Sequence, residues 1–181
     1  MTVYTFKDHF GVCGHNMELM DTEENSYWRM ANLLGLKDIL PTLGRNIAIQ
    51  GELSGEGIQK NPYHELGTVF YVFDVWDIDK QKYLPYPERL SVFTAIEKAS
   101  DEKARGKFKH VPILAIDFVF QKYPTMPELL AYADGRSVAV NELSSTAVSR
   151  EGLVFKSKNY LDGEIVHFKI ISNQHLLEEE K

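Results

Sequence analysis

Short runs in which apolar and polar positions alternate predict several β-strands along the chain. The first two runs, 3–6 and 10–13, flank a polar Lys-Asp-His turn and therefore predict a hairpin. The longest run, 68–78, is apolar at most positions, which predicts a strand that is buried on both faces. Shorter strands are predicted at 45–53, 111–120 and 137–140.

One of these strands, 45–53, places a carboxylate opposite its apolar face. Ile47 and Ile49 share one face because side chains alternate along a strand, and Glu52 then points the other way. A polar loop follows at 54–67, and its glycines allow the backbone to approach a ligand closely. Taken alone, this pattern favours a solvated glutamate beside a tight loop.

Helical periodicity separates the predicted strands. A first helix is predicted between Thr22, which can cap it, and Gly35, which can end it. A second helical piece, 36–43, is predicted to break at Pro41. Two further helices are predicted at 87–98 and 127–133.

Strands with inserted helices predict an α+β fold with largely antiparallel sheets, in a single domain over residues 1–181. Hydrophobic residues make up 44% and charged residues 25% of the chain, as in ordinary soluble domains. The net charge of −6 argues against bulk attraction to nucleic acid, so a polyanion would have to meet a local basic surface. The single cysteine, Cys13, and the lack of a membrane-spanning apolar run predict a cytoplasmic protein without a membrane partner.

A predicted hairpin near the C-terminus gathers the most informative charges. Asp162-Gly163 is a strong turn signal between two short apolar strands. Pairing of those strands would bring Glu151, Lys156 and Lys169 together. A carboxylate for a metal ion and ammonium groups for phosphate are what nucleotide chemistry needs. Composition alone favours a surface hairpin with outward charges instead.

The spacing within this hairpin raises a geometric condition. Glu151 and Lys156 lie five positions apart, and strict pleating would place them on opposite faces of a strand. Both can serve one site only if Gly152 allows a bulge or if Glu151 lies before the strand.

Five segments, taken in order, resemble the later motifs of ATP-dependent RNA ligases. This family belongs to the covalent nucleotidyltransferase superfamily, together with DNA ligases and mRNA capping enzymes. The segments are Phe-Gly-Val-Cys-Gly-His-Asn at 10–16, Gln-Gly-Glu-Leu at 50–53, Phe-Tyr-Val-Phe-Asp at 70–74, Glu-Gly-Leu-Val-Phe-Lys at 151–156 and Phe-Lys-Ile-Ile-Ser-Asn at 168–173. The resemblance spans nearly the whole chain and implies a nucleotidyltransferase domain.

The resemblance implies a role for each matching residue. Glu52 and Glu151 would position a divalent metal, Mg²⁺ or Mn²⁺, together with the nucleotide. Phe73 would stack on the adenine of ATP or AMP. Lys156 and Lys169 would contact the α-phosphate and its leaving group, because such transition states need positive charge around phosphorus.

Three departures from the family pattern limit this resemblance. No lysine stands two positions before either Asp-Gly pair, since Tyr132 and Tyr160 occupy those places. We therefore expect the chain to lack the nucleophile segment of the family and to be an incomplete domain. His15 stands where the family usually has arginine before Asn16, and these two residues are expected to contact the nucleotide. The last motif has one lysine where many relatives have two, with Ile171 in the second place.

Two functions remain open at this point, besides a purely structural fragment that has no ligand. The first is a domain that joins RNA 5′-phosphate and 3′-hydroxyl ends but does not adenylate itself alone. The second is a non-catalytic remnant that binds a nucleotide or an RNA end. Self-association through an exposed sheet edge is also expected if the domain is incomplete.

Overall fold

A six-stranded sheet forms the centre of the computed structural model, which describes residues 1–58, 61–139 and 148–179. Its strands are β1 (Thr2–Phe6), β2 (His9–Cys13), β3 (Ile47–Gly55), β4 (Thr68–Asp77), β5 (Lys82–Tyr83) and β6 (Phe108–His110). They follow the order β2-β1-β3-β4-β5, and β6 also pairs with β4. Every pairing is antiparallel except that of β4 with β6. The predicted α+β fold and the N-terminal hairpin are therefore confirmed.

Three helices pack against this sheet and enclose the hydrophobic core. They are α1 (Ser26–Leu33), α2 (Leu36–Thr42) and α3 (Tyr86–Ala99). Fully or almost fully buried members of the core include Leu34, Leu40, Phe70, Val72 and Phe93. Burial of one such side chain contributes roughly 1.5 to 3 kcal/mol. Because Phe70 and Val72 belong to this core and side chains alternate along a strand, Tyr71 between them faces the opposite side of the sheet.

Two helix boundaries differ from their predictions. Helix α1 begins after Asn25, whose side-chain oxygen accepts hydrogen bonds from the backbone N–H groups of Tyr27 and Trp28. The predicted cap, Thr22, lies in the preceding turn, where its carbonyl oxygen accepts from the Asn25 N–H group. Helix α2 continues through Pro41, because a proline in the final turn removes only one hydrogen bond at the helix end.

The predicted strand 111–120 is wrong. Strand β6 ends at His110, and Pro112, which has no N–H group to donate, follows two positions later. The apolar side chains beyond it stay exposed, at 44% for Ile113 and 55% for Ile116, so no sheet face buries them. An apolar run with strand-like spacing thus forms a surface segment.

The remaining helix predictions are confirmed by α3 and by α4 (Met126–Ala133). The predicted strand 137–140 is not formed over 137–139, although the Ser137 N–H group donates to the Val148 carbonyl oxygen over 2.8 Å. Residue 140 lies outside the described residues.

The predicted C-terminal hairpin is confirmed and forms a separate two-stranded sheet. Its elements are β7 (Gly152–Lys156), β8 (His167–Ile171) and the following helix α5 (Asn173–Glu179). Asp162 and Gly163 adopt positive φ angles, 49° and 86°, as a tight turn requires. Across the described ranges, none of the helices is long and apolar enough to cross a membrane.

Gly152 meets the geometric condition raised by the sequence. Its φ angle is 153°, and a Cβ atom there would lie 2.0 Å from the carbonyl oxygen of Ile170. Only glycine fits this close approach of β7 to β8. Since β7 begins at Gly152, Glu151 lies before the strand, and the alternation of side chains between the two faces of β7 does not apply to it.

A β-bulge interrupts β4 where the sheet faces the hairpin. Gln50 lies opposite Asp74, and Gly51 lies opposite Val72, so Phe73 is the extra residue of β4. Bulges re-aim side chains and are common beside functional sites. Here the bulge allows two residues that are adjacent in sequence to contact one lysine of the hairpin.

Gly51→Ala should destabilise the protein, because a Cβ atom would lie 2.3 Å from the carbonyl oxygen of Tyr71 and 2.6 Å from the Phe70 ring. We expect the free energy of unfolding, measured in urea, to fall by about 1 to 3 kcal/mol or more. Gly14→Ala is the matched control, since its Cβ atom would meet only Leu19, at 3.7 Å. Equal, small losses in both variants would contradict the close approach of β3 and β4.

Candidate active site

An ion pair between Asp74 and Lys156 joins the central sheet to the hairpin. The Lys156 ammonium donates to the Asp74 carboxylate over 2.6 Å and to the backbone carbonyl of Phe73 over 3.4 Å. The same ammonium lies 5.4 Å from the centre of the Phe73 ring, within range of a cation–π interaction. The structure therefore brings together two predicted site residues, Phe73 and Lys156, that are far apart in the sequence.

Arg89 of α3 holds the other oxygen of the Asp74 carboxylate. Its Nη1 donates to Asp74 Oδ1 over 3.1 Å, whereas Lys156 uses Oδ2. Arg89 is only 7% exposed. Neither Arg89 nor a role for Asp74 was predicted from the sequence. A pattern that could have indicated Arg89 is present, because it shares the buried stripe of α3 with Val92 and Ile96. An arginine on an apolar stripe needs a buried partner.

Burial dominates the electrostatics of this cluster. It lowers the pKa of Lys156, and the charge of Asp74 opposes that effect while the charge of Arg89 adds to it. Burial likewise lowers the pKa of Arg89, against the attraction of Asp74. The pKa of His110 is lowered chiefly by burial too. One carboxylate thus serves two buried cations, and net positive charge remains beside Phe73.

A second ion pair joins two exposed side chains of the hairpin segment, Lys169 and Glu151. Lys169 Nζ donates to the Glu151 carboxylate over 3.2 Å, and the two side chains are 49% and 55% exposed. Lys169 is the register partner of Val154, so it shares a face of the hairpin with Lys156. An exposed pair of this kind contributes at most about 1 kcal/mol. The predicted group of one acid and two lysines therefore forms as two ion pairs, one of which uses Asp74.

Glu52 and Glu151 lie near one tyrosine, although they belong to different sheets. Glu52 is exposed on β3 and sits opposite Tyr71 of β4. Burial raises the pKa of Tyr63, and the charges of Glu151 and Glu52 raise it further. Both predicted carboxylates therefore act electrostatically on the same tyrosine.

A buried carboxylate that was not predicted from the sequence, Glu65, lies before β4. Glu65 is 5% exposed and accepts hydrogen bonds from the Tyr71 hydroxyl and, over 3.2 Å, from the Lys109 ammonium. Asn61 makes two further hydrogen bonds to the backbone of Glu65. Burial, followed by the hydrogen bond to Glu65, raises the pKa of Tyr71. These contacts order the loop before β4, and nothing in the loop sequence marks Glu65 as buried.

Arg150 fixes the backbone directly before Glu151. Its guanidinium donates to the carbonyl oxygens of Tyr132, Ala133 and Asp134 over 2.5, 2.8 and 2.6 Å. These carbonyl groups end α4, and a cation is favourable there because unpaired carbonyl groups give a helix C-terminus partial negative charge. The start of β7 is therefore anchored on a neighbouring helix.

His15 and Asn16 are not brought to these ion pairs. Both are exposed in the turn after β2, where the Gly14 N–H group donates to the Met17 carbonyl oxygen over 2.9 Å. In the described part of the chain, neither side chain has a hydrogen bond or ion pair with another predicted site residue. Their expected contact with a nucleotide stays a prediction.

A family model described as RNA ligase matches residues 1–171 of the chain. The chain belongs to the RNA ligase family. The family predicted from the five sequence segments is therefore confirmed. Among curated proteins, none matches this chain significantly.

Solved structures of the Naegleria gruberi RNA ligase are similar to this member of the RNA ligase family. A mutant with AMP and Mn has a TM-score of 0.80 and 40% identity, over 99% of this chain and 48% of that chain. A mutant with ATP and Mn has a TM-score of 0.80 and 41% identity, with the same coverage. The same ligase with PPi has a TM-score of 0.76 and 40% identity, again over 99% and 48%. The chain thus spans about half the length of those structures.

A divalent cation that is shared with a nucleotide needs few protein ligands, and exposed carboxylates of this chain are of the kind that it takes. Among residues 1–58, 61–139 and 148–179, no group of three or more His, Cys, Asp or Glu side chains is placed to hold a metal ion. Mg²⁺ is commonly held by one or two carboxylates plus phosphate oxygens and water, and Mn²⁺ also prefers oxygen ligands. Glu52 and Glu151, both exposed, supply such carboxylates.

Proposed function

We propose that this chain is an RNA-ligase-type nucleotidyltransferase domain that binds ATP or AMP and joins RNA 5′-phosphate and 3′-hydroxyl ends. The observation that carries the proposal is the Lys156 ammonium, which Asp74 holds 5.4 Å from the centre of the Phe73 ring. This arrangement offers an aromatic face for a base next to a cation for a phosphate. Similarity to ligase structures with ATP and with AMP supports the same assignment.

Each side chain of the site has a role in this proposal. Phe73 stacks on adenine, and the bulge in β4 sets the direction of its ring. Lys156 and Lys169 contact the α-phosphate and the group that leaves it. Because Lys156 is mostly buried, its charge acts more strongly on a developing negative charge than it would in water.

Glu52 and Glu151 would hold Mg²⁺ or Mn²⁺ in this proposal. The ion, when bound, supplies positive charge that offsets the charge of the phosphate oxygens. Glu151 is paired with Lys169 in the structure, so a cation would compete with that lysine for the carboxylate. His15 and Asn16 would contact the nucleotide from the turn after β2, although histidine cannot provide the forked contact of arginine.

The sealing step that we propose needs no enzyme nucleophile. The RNA 3′-hydroxyl oxygen attacks the phosphorus of an adenylated RNA 5′ end, a phosphodiester bond forms, the bond to AMP breaks, and the hydroxyl proton passes to solvent. Self-adenylation does need a lysine nucleophile, and the sequence contains no Lys-x-Asp-Gly segment. We therefore expect this chain alone to act on ends that are already adenylated.

A non-catalytic domain that binds a nucleotide or an RNA end is the second candidate. The absent Lys-x-Asp-Gly segment and the histidine at position 15 favour it. For either candidate we propose a cytoplasmic location and no membrane partner. Self-association has weaker support, because the Leu19 N–H group donates to the Val12 carbonyl oxygen and covers part of the β2 edge.

Glu151→Ala and Lys156→Ala should each abolish sealing of a pre-adenylated RNA end to a 3′-hydroxyl RNA. We expect the single-turnover rate to fall on the order of 100-fold or more. Lys156→Ala removes a positive charge that would act on the reacting phosphate, and Glu151→Ala removes a carboxylate that would hold the metal ion. Lys158→Ala is the matched control, since Lys158 lies just beyond β7 but pairs with the exposed Asp117. If the wild type seals and both site variants seal at the same rate, the site assignment is wrong. If the wild type binds nucleotide but does not seal, the non-catalytic candidate is favoured.

Incubation of the chain with ATP and magnesium should leave its intact mass unchanged. Neither Tyr132 nor Tyr160, the residues two before the Asp-Gly pairs, can form a lysine–AMP bond. Mass spectrometry of the whole chain checks this, with the incubation without ATP as the control. A covalent AMP adduct would show that another lysine of this chain is the nucleophile.

A further inference from the structure

We infer that Arg89 is a positioning residue, which orients Asp74 so that one carboxylate oxygen remains to hold Lys156. The inference deepens the proposed function and rests on it for its consequence in sealing. Arg89 lies on α3, outside every segment that resembles the ligase motifs. Within the described ranges, none of the site residues predicted from the sequence forms a hydrogen bond or ion pair with Arg89, and its positioning role would pass through Asp74.

The division of the Asp74 oxygens is the first observation behind this role. Arg89 Nη1 donates to Oδ1 over 3.1 Å, and Lys156 Nζ donates to Oδ2 over 2.6 Å. The torsion that rotates a carboxylate is broad and roughly two-fold, so one hydrogen bond alone leaves its plane loosely defined. A second bond to the other oxygen fixes the plane and thereby the direction in which Lys156 is held.

The cost of burying Arg89 is the second observation. The residue is 7% exposed, and its Nε is buried without a hydrogen-bond partner in the part of the chain that the structure describes. A buried cation with an unpaired donor costs stability, and an apolar residue at such a position is often neutral or better. Packing alone therefore does not account for an arginine here.

The charges around Lys156 give a third reason. The charged or titratable groups that face it are Asp74 from β4, Arg89 from α3 and His110 from β6. Arg89 repels Lys156, which lowers the pKa of the lysine further, so Arg89 does not stabilise the ammonium directly. Any favourable effect of Arg89 on Lys156 would therefore pass through the carboxylate that the two cations share.

Nuclear magnetic resonance of the ligand-free protein tests whether Arg89 positions Lys156, independently of any catalytic activity. With ¹³C-labelled lysine, the two ε-protons of Lys156 should have distinct shifts while Asp74 holds the ammonium, and Lys156→Arg identifies the signal. We expect the two shifts to merge in Asp74→Asn and in Arg89→Met, and to stay distinct in Arg89→Lys, which restores a cation. Arg45→Met is the matched control, because Arg45 pairs with Asp77 over 2.8 Å, away from Lys156.

Sealing of a pre-adenylated RNA end measures the consequence. We expect Arg89→Met to lower the sealing rate on the order of 10- to 100-fold. Arg89→Lys should recover most of that rate. The double variant of Arg89→Met with Asp74→Asn should be no slower than Asp74→Asn alone. Any of three results would overturn the inference. The first is that the losses of rate in Arg89→Met and Asp74→Asn add in the double variant, and the second is that Arg89→Met and Arg89→Lys lose equal rate. The third is that the ε-proton shifts stay distinct in Arg89→Met. Arg89→Gln replaces Arg89→Met if the latter loses the wild-type circular dichroism.

The two readouts separate failure of the inference from failure of the proposed function. Merged ε-proton shifts in Arg89→Met, in a protein whose wild type never seals, would uphold the positioning role and reject sealing. Distinct ε-proton shifts and unchanged sealing in Arg89→Met would reject the positioning role and uphold the proposed sealing function.

Discussion

The Asp74–Lys156 ion pair is the contact on which the candidate site depends. It is mostly buried, with 13% of the aspartate and 17% of the lysine side chain exposed, and it joins the central sheet to the hairpin. Lys82 and Gly163 add a second link, since the lysine ammonium donates to the glycine carbonyl oxygen over 2.9 Å. The ion pair sets the position of the Lys156 ammonium, which lies 5.4 Å from the centre of the Phe73 ring.

Two local backbone features make that ion pair possible. The bulge in β4 leaves Phe73 outside the regular alternation, so that its ring and carbonyl group and the Asp74 carboxylate all contact one ammonium. Gly152 lets β7 lie against β8 at a distance that excludes any Cβ atom, and Glu151 then projects from outside the strand. Glycine in each of the two motifs that carry the acids, at 51 and 152, thus has a steric cause.

Sequence periodicity predicted the hairpin and the long strand of the site because both have strong local signals, such as the turn at Asp162-Gly163. It did not predict partners that meet only in three dimensions. Asp74 and Arg89 pair across a strand and a helix, and only the position of an arginine on an apolar stripe hints at that contact. Pattern also failed at 111–120, where apolar side chains without a neighbouring strand remain on the surface.

Titration of ¹³C-lysine-labelled protein with AMP and Mg²⁺ tests most directly whether the Asp74–Lys156 contact is part of a nucleotide site. We expect the ε-carbon and ε-proton signals of Lys156 to shift with saturation, while those of Lys158, which is exposed just beyond the same strand, stay in place. Saturable binding that leaves the Lys156 signal unmoved, or no binding at all, would contradict the assignment of this site.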